Sequence, residues 1–169
     1  VVVVANKADT EERDGLMSEF FALGFGEPLL VSAEHGRGIP QLQALILRRL
    51  GPEPETPREE GARPIRLALA GRPNVGKSTL VNRIVGQKIA ITSRRPQTTR
   101  HRLLGIAHVE GAQLVFSDTP GWQPNPRTAM DKLMNRQIDL ALGEMSAVLM
   151  VADARAWRTD DAPVAEWLL

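Results

Sequence analysis

Apolar residues in the first fifty positions alternate between strand-like and helix-like spacing. The consecutive apolar residues 1–5 predict a buried strand, and the run 28–31 predicts a second, shorter one. A helix is expected after each strand, because apolar residues there recur every three or four positions. The apolar face consists of Leu16, Phe20 and Leu23 in the first helix, and of Leu42, Leu45, Ile46 and Leu50 in the second, which begins near Pro40.

A change in composition separates this part of the chain from the rest. Residues 51–64 include four prolines and several glutamates, with few apolar side chains to bury. Such a segment is typical of a solvated, semi-extended linker. The alternative, an acidic or proline-rich docking motif, depends on a weaker pattern.

Strands and helices alternate again after the linker. Strands are predicted at 65–70, 101–109, 113–117 and 147–152, with a turn at Gly111 between the second and third. Three helices are predicted: 76–85, with Leu80, Ile84 and Val85 inward; one marked by Met130, Leu133, Met134, Ile138 and Ala141; and one from Asp160, with Val164, Trp167 and Leu168 on one face. This alternation predicts an α/β fold with a mostly parallel central sheet.

Composition and charge narrow the class of protein. Hydrophobic residues make up 43% of the chain, which is typical of a globular protein, and the net charge of +1 gives no field that favours nucleic acid or membranes. No apolar run approaches transmembrane length. The absence of cysteine excludes disulfides and suits a reducing cytoplasm. The chain begins without methionine, inside a predicted strand, as we expect of an excised or engineered piece.

The sequence GRPNVGKS at 71–78 matches a phosphate-binding loop between a predicted strand and a predicted helix. Glycines let backbone N–H groups turn towards an anion, and the helix N-terminus adds partial positive charge. Lys77 would reach the β- and γ-phosphates, and the Ser78 hydroxyl would bind Mg²⁺. The phosphate contacts are expected from Asn74, Val75, Gly76, Lys77, Ser78 and Thr79. The alternative is a glycine-rich turn before a helix.

Two further segments would complete the phosphate and magnesium site. Asp118 ends a predicted strand and could hold a magnesium-bound water, while the N–H of Gly121 could reach a γ-phosphate. Thr98 and Thr99 lie in a basic loop, where one hydroxyl could join the metal only when a γ-phosphate is present. We assign that role to Thr99, although the sequence leaves the choice between them open. Each segment could instead be an ordinary turn or solvated loop.

Residues for recognising a base follow the first two predicted strands. Asp9 could accept hydrogen bonds from the N1–H and exocyclic amine of guanine, a donor pair that adenine lacks. Asn6 could bridge the base and the phosphate loop, and the stem of Lys7 could cover the ring. Ser32 and Ala33 end the second strand, where the Ala33 N–H could meet guanine O6. Either segment alone is weak, since Asp9 could simply cap a helix.

The motifs resemble two families of bacterial GTPases. Residues 1–80, with ANKAD, SAEHGRG and GRPNVGKSTL, resemble the middle of the tandem GTPase Der (EngA). From about residue 81, GQKIAITSRRPQTTRHR, FSDTPGW and KLMNRQ resemble the GTPase Era. Both families place the phosphate loop first, whereas here the base motifs precede it. The resemblance therefore implies a chimeric, circularly permuted P-loop domain of the Ras-like type.

The resemblance also implies function. It implies binding of GTP and GDP with Mg²⁺, slow GTP hydrolysis involving Lys77, Thr99 and Gly121, and a relation to ribosome assembly. Trp122 stands where many GTPases have a glutamine, and Asn74 matches a position that helps to hold a monovalent cation such as K⁺. RNA or ribosome binding is doubtful, because the Era KH domain is not recognised in the chain.

We therefore expect one permuted domain over 1–169. Residues 1–50 would recognise the base, 51–64 would link, and 65–169 would hold phosphates and magnesium. The alternative is an engineered or recombined chain that binds nucleotide without useful turnover. We expect no membrane partner and a monomer, with a domain-swapped dimer as the alternative.

Overall fold

The computed structural model describes residues 1–9, 21, 24–51, 64–90, 103–119, 121–123, 125–155 and 161–169. The predicted helix bearing Leu16, Phe20 and Leu23, residues 52–63 of the predicted linker 51–64, and the loop with Thr98 and Thr99 lie outside these residues.

Six strands and four helices alternate in the described part of the chain. In chain order they are β1 (Val2–Asn6), β2 (Leu29–Leu30), α1 (Ile39–Leu50), β3 (Ile65–Ala70), α2 (Lys77–Val85), β4 (Leu103–Val109), β5 (Ala112–Asp118), α3 (Ala129–Leu142), β6 (Ala147–Asp153) and α4 (Ala162–Leu168). Most bounds lie within one or two residues of those predicted from the apolar pattern.

The six strands form one sheet in the order β2-β1-β6-β3-β5-β4. All neighbouring pairs are parallel except β4 and β5, which are antiparallel. The prediction of an α/β fold with a mostly parallel sheet is confirmed. β1 pairs with β6 over its whole length, from Val2 opposite Leu149 to Asn6 opposite Asp153.

Buried side chains cover both faces of the sheet. On one face, α1 and α2 contribute Leu42, Ile46, Leu80, Val81 and Ile84 to a core with residues of all four central strands. On the other face, Val164 and Ala165 of α4 pack with Val3, Ala5, Met150 and Ala152. The central strands are buried on both sides, which explains why they read as continuous apolar runs.

The helix marked by Met130, Leu133, Met134, Ile138 and Ala141 is confirmed as α3. Met134 and Ile138 are buried, but Met130 and Leu133 are 51% and 53% exposed. Successive helical positions differ by about 100°, so Leu133 lies off the face that carries Met134. In the described part of the chain, no helix is sufficiently long and apolar to cross a membrane.

Candidate functional site

The candidate site lies at the carboxyl edge of the sheet. β1, β3, β5 and β6 run parallel, so the segments that follow them emerge at the same edge. In open parallel sheets this edge is where ligands bind. The predicted residues in 6–9, 71–79 and 118–121 therefore come together, although they are far apart in the chain.

Two glycines let the loop after β3 pass close to its neighbours. Gly71 has a φ of 148°, and a Cβ there would lie 2.3 Å from the Val151 carbonyl oxygen. Gly76 has a φ of 96°, and a Cβ there would lie 2.3 Å from Asn6 Nδ2. Because neither approach leaves room for a side chain, glycine is required at both positions. α2 begins directly afterwards, at Lys77.

The Lys77 ammonium is held inside this loop. Its Nζ donates to the carbonyl oxygens of Gly71 and Arg72, each at 2.9 Å. Burial lowers the pKa of Lys77 to about 8, with Asp118 acting in the opposite direction and Arg72 reinforcing the shift. A bound anion would favour the charged form. The site thus presents a desolvated cation to whatever enters the loop.

The loop after β5 packs against the phosphate-type loop. The Ser78 hydroxyl donates to Asp118 Oδ2 at 2.7 Å, and the Trp122 N–H donates to the Gly71 carbonyl at 3.3 Å. A Cβ on Gly121 would lie 2.6 Å from Pro73 Cγ, so only glycine fits. A hydroxyl and a carboxylate oxygen side by side are hard donors of the kind that Mg²⁺ prefers, so these residues fit that ion.

Asn6 joins the loop after β3 to the loop after β2. Its Nδ2 donates to the Val75 carbonyl at 2.9 Å, and its Oδ1 accepts from the Ala33 N–H at 3.0 Å. The side chain is 2% exposed, which strengthens both bonds relative to a solvated pair. The Ala33 N–H expected at guanine O6 is therefore already used in this structure, and a base would have to share it.

Lys7 lies across the top of the phosphate-type loop. It has a φ of 68°, and its Nζ donates to the Asn74 carbonyl at 2.6 Å and to Asp153 Oδ2 at 2.8 Å. Burial alone would raise the pKa of Asp153, but hydrogen bonds from Arg155 and Lys7 outweigh it and hold that pKa well below its usual range. The stem of Lys7 is thus fixed between two loops.

Asp9 and Ser32 are paired: the Ser32 hydroxyl donates to Asp9 Oδ1 at 2.8 Å. Asp9 is exposed. A penalty against the wrong base would therefore arise only when the ring itself covers Asp9. Among the other predicted residues, Asn74 is exposed, Val75 is buried and Thr79 is half-buried in the first turn of α2. Thr99 is not among the described residues.

Sequence reasoning missed three contacts around the site. Arg72 makes a two-pronged ion pair with Asp161, at 2.5 and 2.7 Å. Arg83 donates to the carbonyls of Ala33 and Glu34. Trp122 stacks on Trp167 with ring centroids 5.3 Å apart. The partners are 89, 50, 49 and 45 positions apart in the chain, so no local pattern signals them.

Comparison with known proteins agrees with this geometry. Residues 66–169, more than half of the chain, match the family model described as 50S ribosome-binding GTPase. The chain is 52% identical over 99 residues to GTPase Era of Histophilus somni strain 129Pt, and 50% identical over 99 residues to that of Yersinia pestis strain Pestoides F. These alignments cover 58% of this chain but only 33% and 32% of the relatives.

Solved structures give the same relationship. An Era protein in complex with MgGDPNP and nucleotides 1506–1542 of 16S ribosomal RNA is 35% identical, with a TM-score of 0.57, over 61% of this chain and 35% of that chain. A variant of Aquifex aeolicus Era bound to GDP and AlF4⁻ is 34% identical, with a TM-score of 0.56, over the same shares. The matched region contains the phosphate-type loop and the Ser78–Asp118 pair, and the chain belongs to the family of 50S ribosome-binding GTPases.

Proposed function

We propose that this chain binds GTP and GDP with Mg²⁺ and hydrolyses GTP slowly. The observation that carries the proposal is the position of Asn6. Its side chain is hydrogen-bonded both to Val75, in the loop after β3 that would hold phosphates, and to Ala33, in the loop after β2 that would hold a base. A ligand that spans both loops must carry phosphates at one end and a planar base at the other. A guanine nucleotide meets this requirement.

In this proposal, Lys77 and the N–H groups of 74–79 bind the phosphates, with the Gly121 N–H at the γ-phosphate. Ser78 and Asp118 hold Mg²⁺, which when bound neutralises phosphate charge, and Thr99 joins them in the GTP state. Two observations support these roles: Lys77 is buried, and the Ser78 Oγ lies 2.7 Å from Asp118 Oδ2.

Asp9 reads the guanine in this proposal. Its carboxylate accepts from N1–H and the exocyclic amine, while the stem of Lys7 covers the ring and Ser32 orients Asp9. Adenine has no matching donor pair, so it would cover a carboxylate without satisfying it. The support is that the Ser32 hydroxyl holds Asp9 from one side.

Hydrolysis is expected to be slow without a partner. Trp122 occupies the position after Gly121, where a glutamine would orient water. A K⁺ ion near Asn74 could instead neutralise charge that develops on the phosphates. The alternative is an engineered or recombined chain that binds nucleotide without useful turnover.

We also propose that the chain is a circularly permuted G domain that joins Der-like and Era-like parts. β1 and β2, which carry the base motifs, precede the phosphate loop in the chain, while β1 lies beside β6 in the sheet. The chain covers 35% of the RNA-bound Era relative, and we propose no contact with RNA or the ribosome.

The test is nucleotide binding by purified protein stripped of bound ligand. We expect GTP and GDP to bind far more tightly than ATP, and Asp9→Asn to shift the preference towards xanthine nucleotides, because the amide donates where the carboxylate accepted. Equal affinity for ATP and GTP would overturn the proposal. Single-turnover hydrolysis in K⁺ and in Na⁺ then separates slow hydrolysis from binding without turnover.

A further inference from the structure

Arg83 connects the helix after the phosphate loop to the loop that follows β2. It lies in the last turn of α2, and its guanidinium faces carbonyl groups 50 and 49 positions earlier in the chain. Nε donates to the Ala33 oxygen at 2.9 Å, and Nη2 donates to the Glu34 oxygen. The fixed fork of a guanidinium suits two adjacent carbonyls in a way that a single ammonium does not.

These bonds hold Ala33 on two sides. Its N–H donates to Asn6 Oδ1, and its carbonyl accepts from Arg83. Asn6 in turn donates to Val75 in the phosphate loop. A closed chain of contacts therefore runs from the phosphate loop through Asn6 and Ala33 to Arg83, and back along α2.

A simpler explanation is that a basic residue near a helix C-terminus complements the helix dipole. That role needs no particular partner, whereas Arg83, although exposed as a residue, donates to two carbonyl groups of one loop. The guanidinium is directed at the loop that follows β2, since a Cβ on Gly36 in that loop would lie 3.8 Å from Arg83 Nη1. The contact therefore concerns the 33–36 segment and not only the charge of α2.

We infer that Arg83 is a positioning residue for guanine recognition. By fixing the carbonyls of Ala33 and Glu34, it sets the path of the loop that carries Ser32, the partner of Asp9. It also links the order of this loop to the helix that begins at the phosphates. The inference rests on the proposed function, because it assigns Arg83 to the base side of the same site.

The experiment compares Arg83→Ala with Arg83→Lys and with the control Arg49→Ala, which removes an exposed arginine from the last turn of α1. Dissociation constants are measured for GDP and for ADP, which carries the same phosphates but lacks the donor pair that Asp9 accepts. For Arg83→Ala we expect GDP binding to weaken about tenfold, the size of losing hydrogen bonds from a charged donor. ADP binding should be unchanged, Arg83→Lys intermediate and Arg49→Ala unaffected.

Two outcomes would overturn the inference: unchanged GDP affinity in Arg83→Ala, or equal losses for GDP and ADP, which would indicate a general structural role. Hydrogen exchange of the ligand-free proteins gives a second measurement that needs no nucleotide. Faster exchange of the 31–38 amides in Arg83→Ala is expected, and unchanged exchange would contradict the inference. If the unmutated protein does not prefer GDP to ADP, the proposed function fails, and hydrogen exchange alone decides the role of Arg83 in the loop.

Discussion

At the residue scale, Lys77 is a buried cation whose hydrogen bonds to backbone carbonyls go to uncharged groups. Two backbone carbonyls accept its hydrogen bonds at 2.9 Å, yet burial still lowers its pKa to about 8. Neutral carbonyls accept the hydrogen bonds of the ammonium but carry no net negative charge. They therefore do not compensate the free energy that the ammonium loses when water is excluded. A phosphate would supply that charge, so part of the cost of burying Lys77 would be recovered on binding.

The lowered pKa of Lys77 predicts how stability depends on pH. Between about pH 8 and pH 10.5, the unfolded chain keeps the Lys77 proton and the folded chain loses it. The free energy of unfolding of the ligand-free protein should therefore rise with pH in this window, and this gain is lost as pH falls through the folded pKa. From about pH 7.5 to 9.5 we expect a rise of about 1–2 kcal/mol from this residue.

Urea unfolding of the unmutated protein and of Lys77→Met at both pH values isolates the effect, because other titrating groups are common to both. The rise should be larger in the unmutated protein by the stated amount. Equal pH dependence in the two proteins would mean that Lys77 keeps its proton in the folded state.

At the scale of elements, the last helix contacts the phosphate-type loop at Arg72, whereas Asn6 contacts it at Val75. Asp161, at the N-terminus of α4, is 1% exposed and pairs with the guanidinium of Arg72. Trp167 of the same helix stacks on Trp122, which follows Gly121. α4 thus contacts both the loop after β3 and the loop after β5, and its packing determines how closely those loops approach.

The ion pair predicts an asymmetric response to mutation. Arg72→Met removes the guanidinium that pairs with the buried Asp161 carboxylate. We expect this to lower the free energy of unfolding by about 2–4 kcal/mol. Adding Asp161→Leu removes the buried charge and should recover much of the loss. The matched control is Arg136→Met, an exposed arginine of α3. Denaturant unfolding of the three variants measures this, and a double variant as unstable as Arg72→Met alone would contradict it.

At the scale of the whole molecule, β1 is inserted between β2 and β6, so 1–50 and 65–169 share one sheet. The pairing of β1 with β6 extends over five residues. This arrangement can close within one chain or between two chains. The linker at 51–64 could span roughly 45 Å when extended, three times the radius of gyration of about 15 Å expected for a domain of this size.

We predict a monomer with one nucleotide site per chain at micromolar concentration. A linker of this length would give an effective concentration of about 1 mM, so closure within one chain should dominate until the protein itself approaches that concentration. Light scattering with nucleotide stoichiometry measures both properties. A stable dimer that binds one nucleotide per chain would indicate a swapped assembly, and half a nucleotide per chain would contradict either form of closure.

The sequence by itself determined the class of fold and most element bounds. The strand Ile65–Ala70 follows from consecutive apolar residues, because a strand of a parallel sheet is buried on both faces. The helix that ends at Val85 follows from apolar residues spaced three or four positions apart. The sequence also located the phosphate-type loop, since the glycines and the lysine of that loop lie within the single segment 71–78. Whether each predicted site residue contacts a nucleotide remains a prediction.

Only the tertiary structure decided which distant groups meet. Arg83 and Ala33, or Arg72 and Asp161, lie on different elements, and nothing in their immediate neighbours marks them as partners. The same holds for exposure: Met134 is buried and Leu133 is exposed, although both are apolar neighbours in one helix. A local sequence pattern indicates the average burial of a segment. The hydrogen bonds and burial of a single side chain depend instead on which other segment of the chain packs against it.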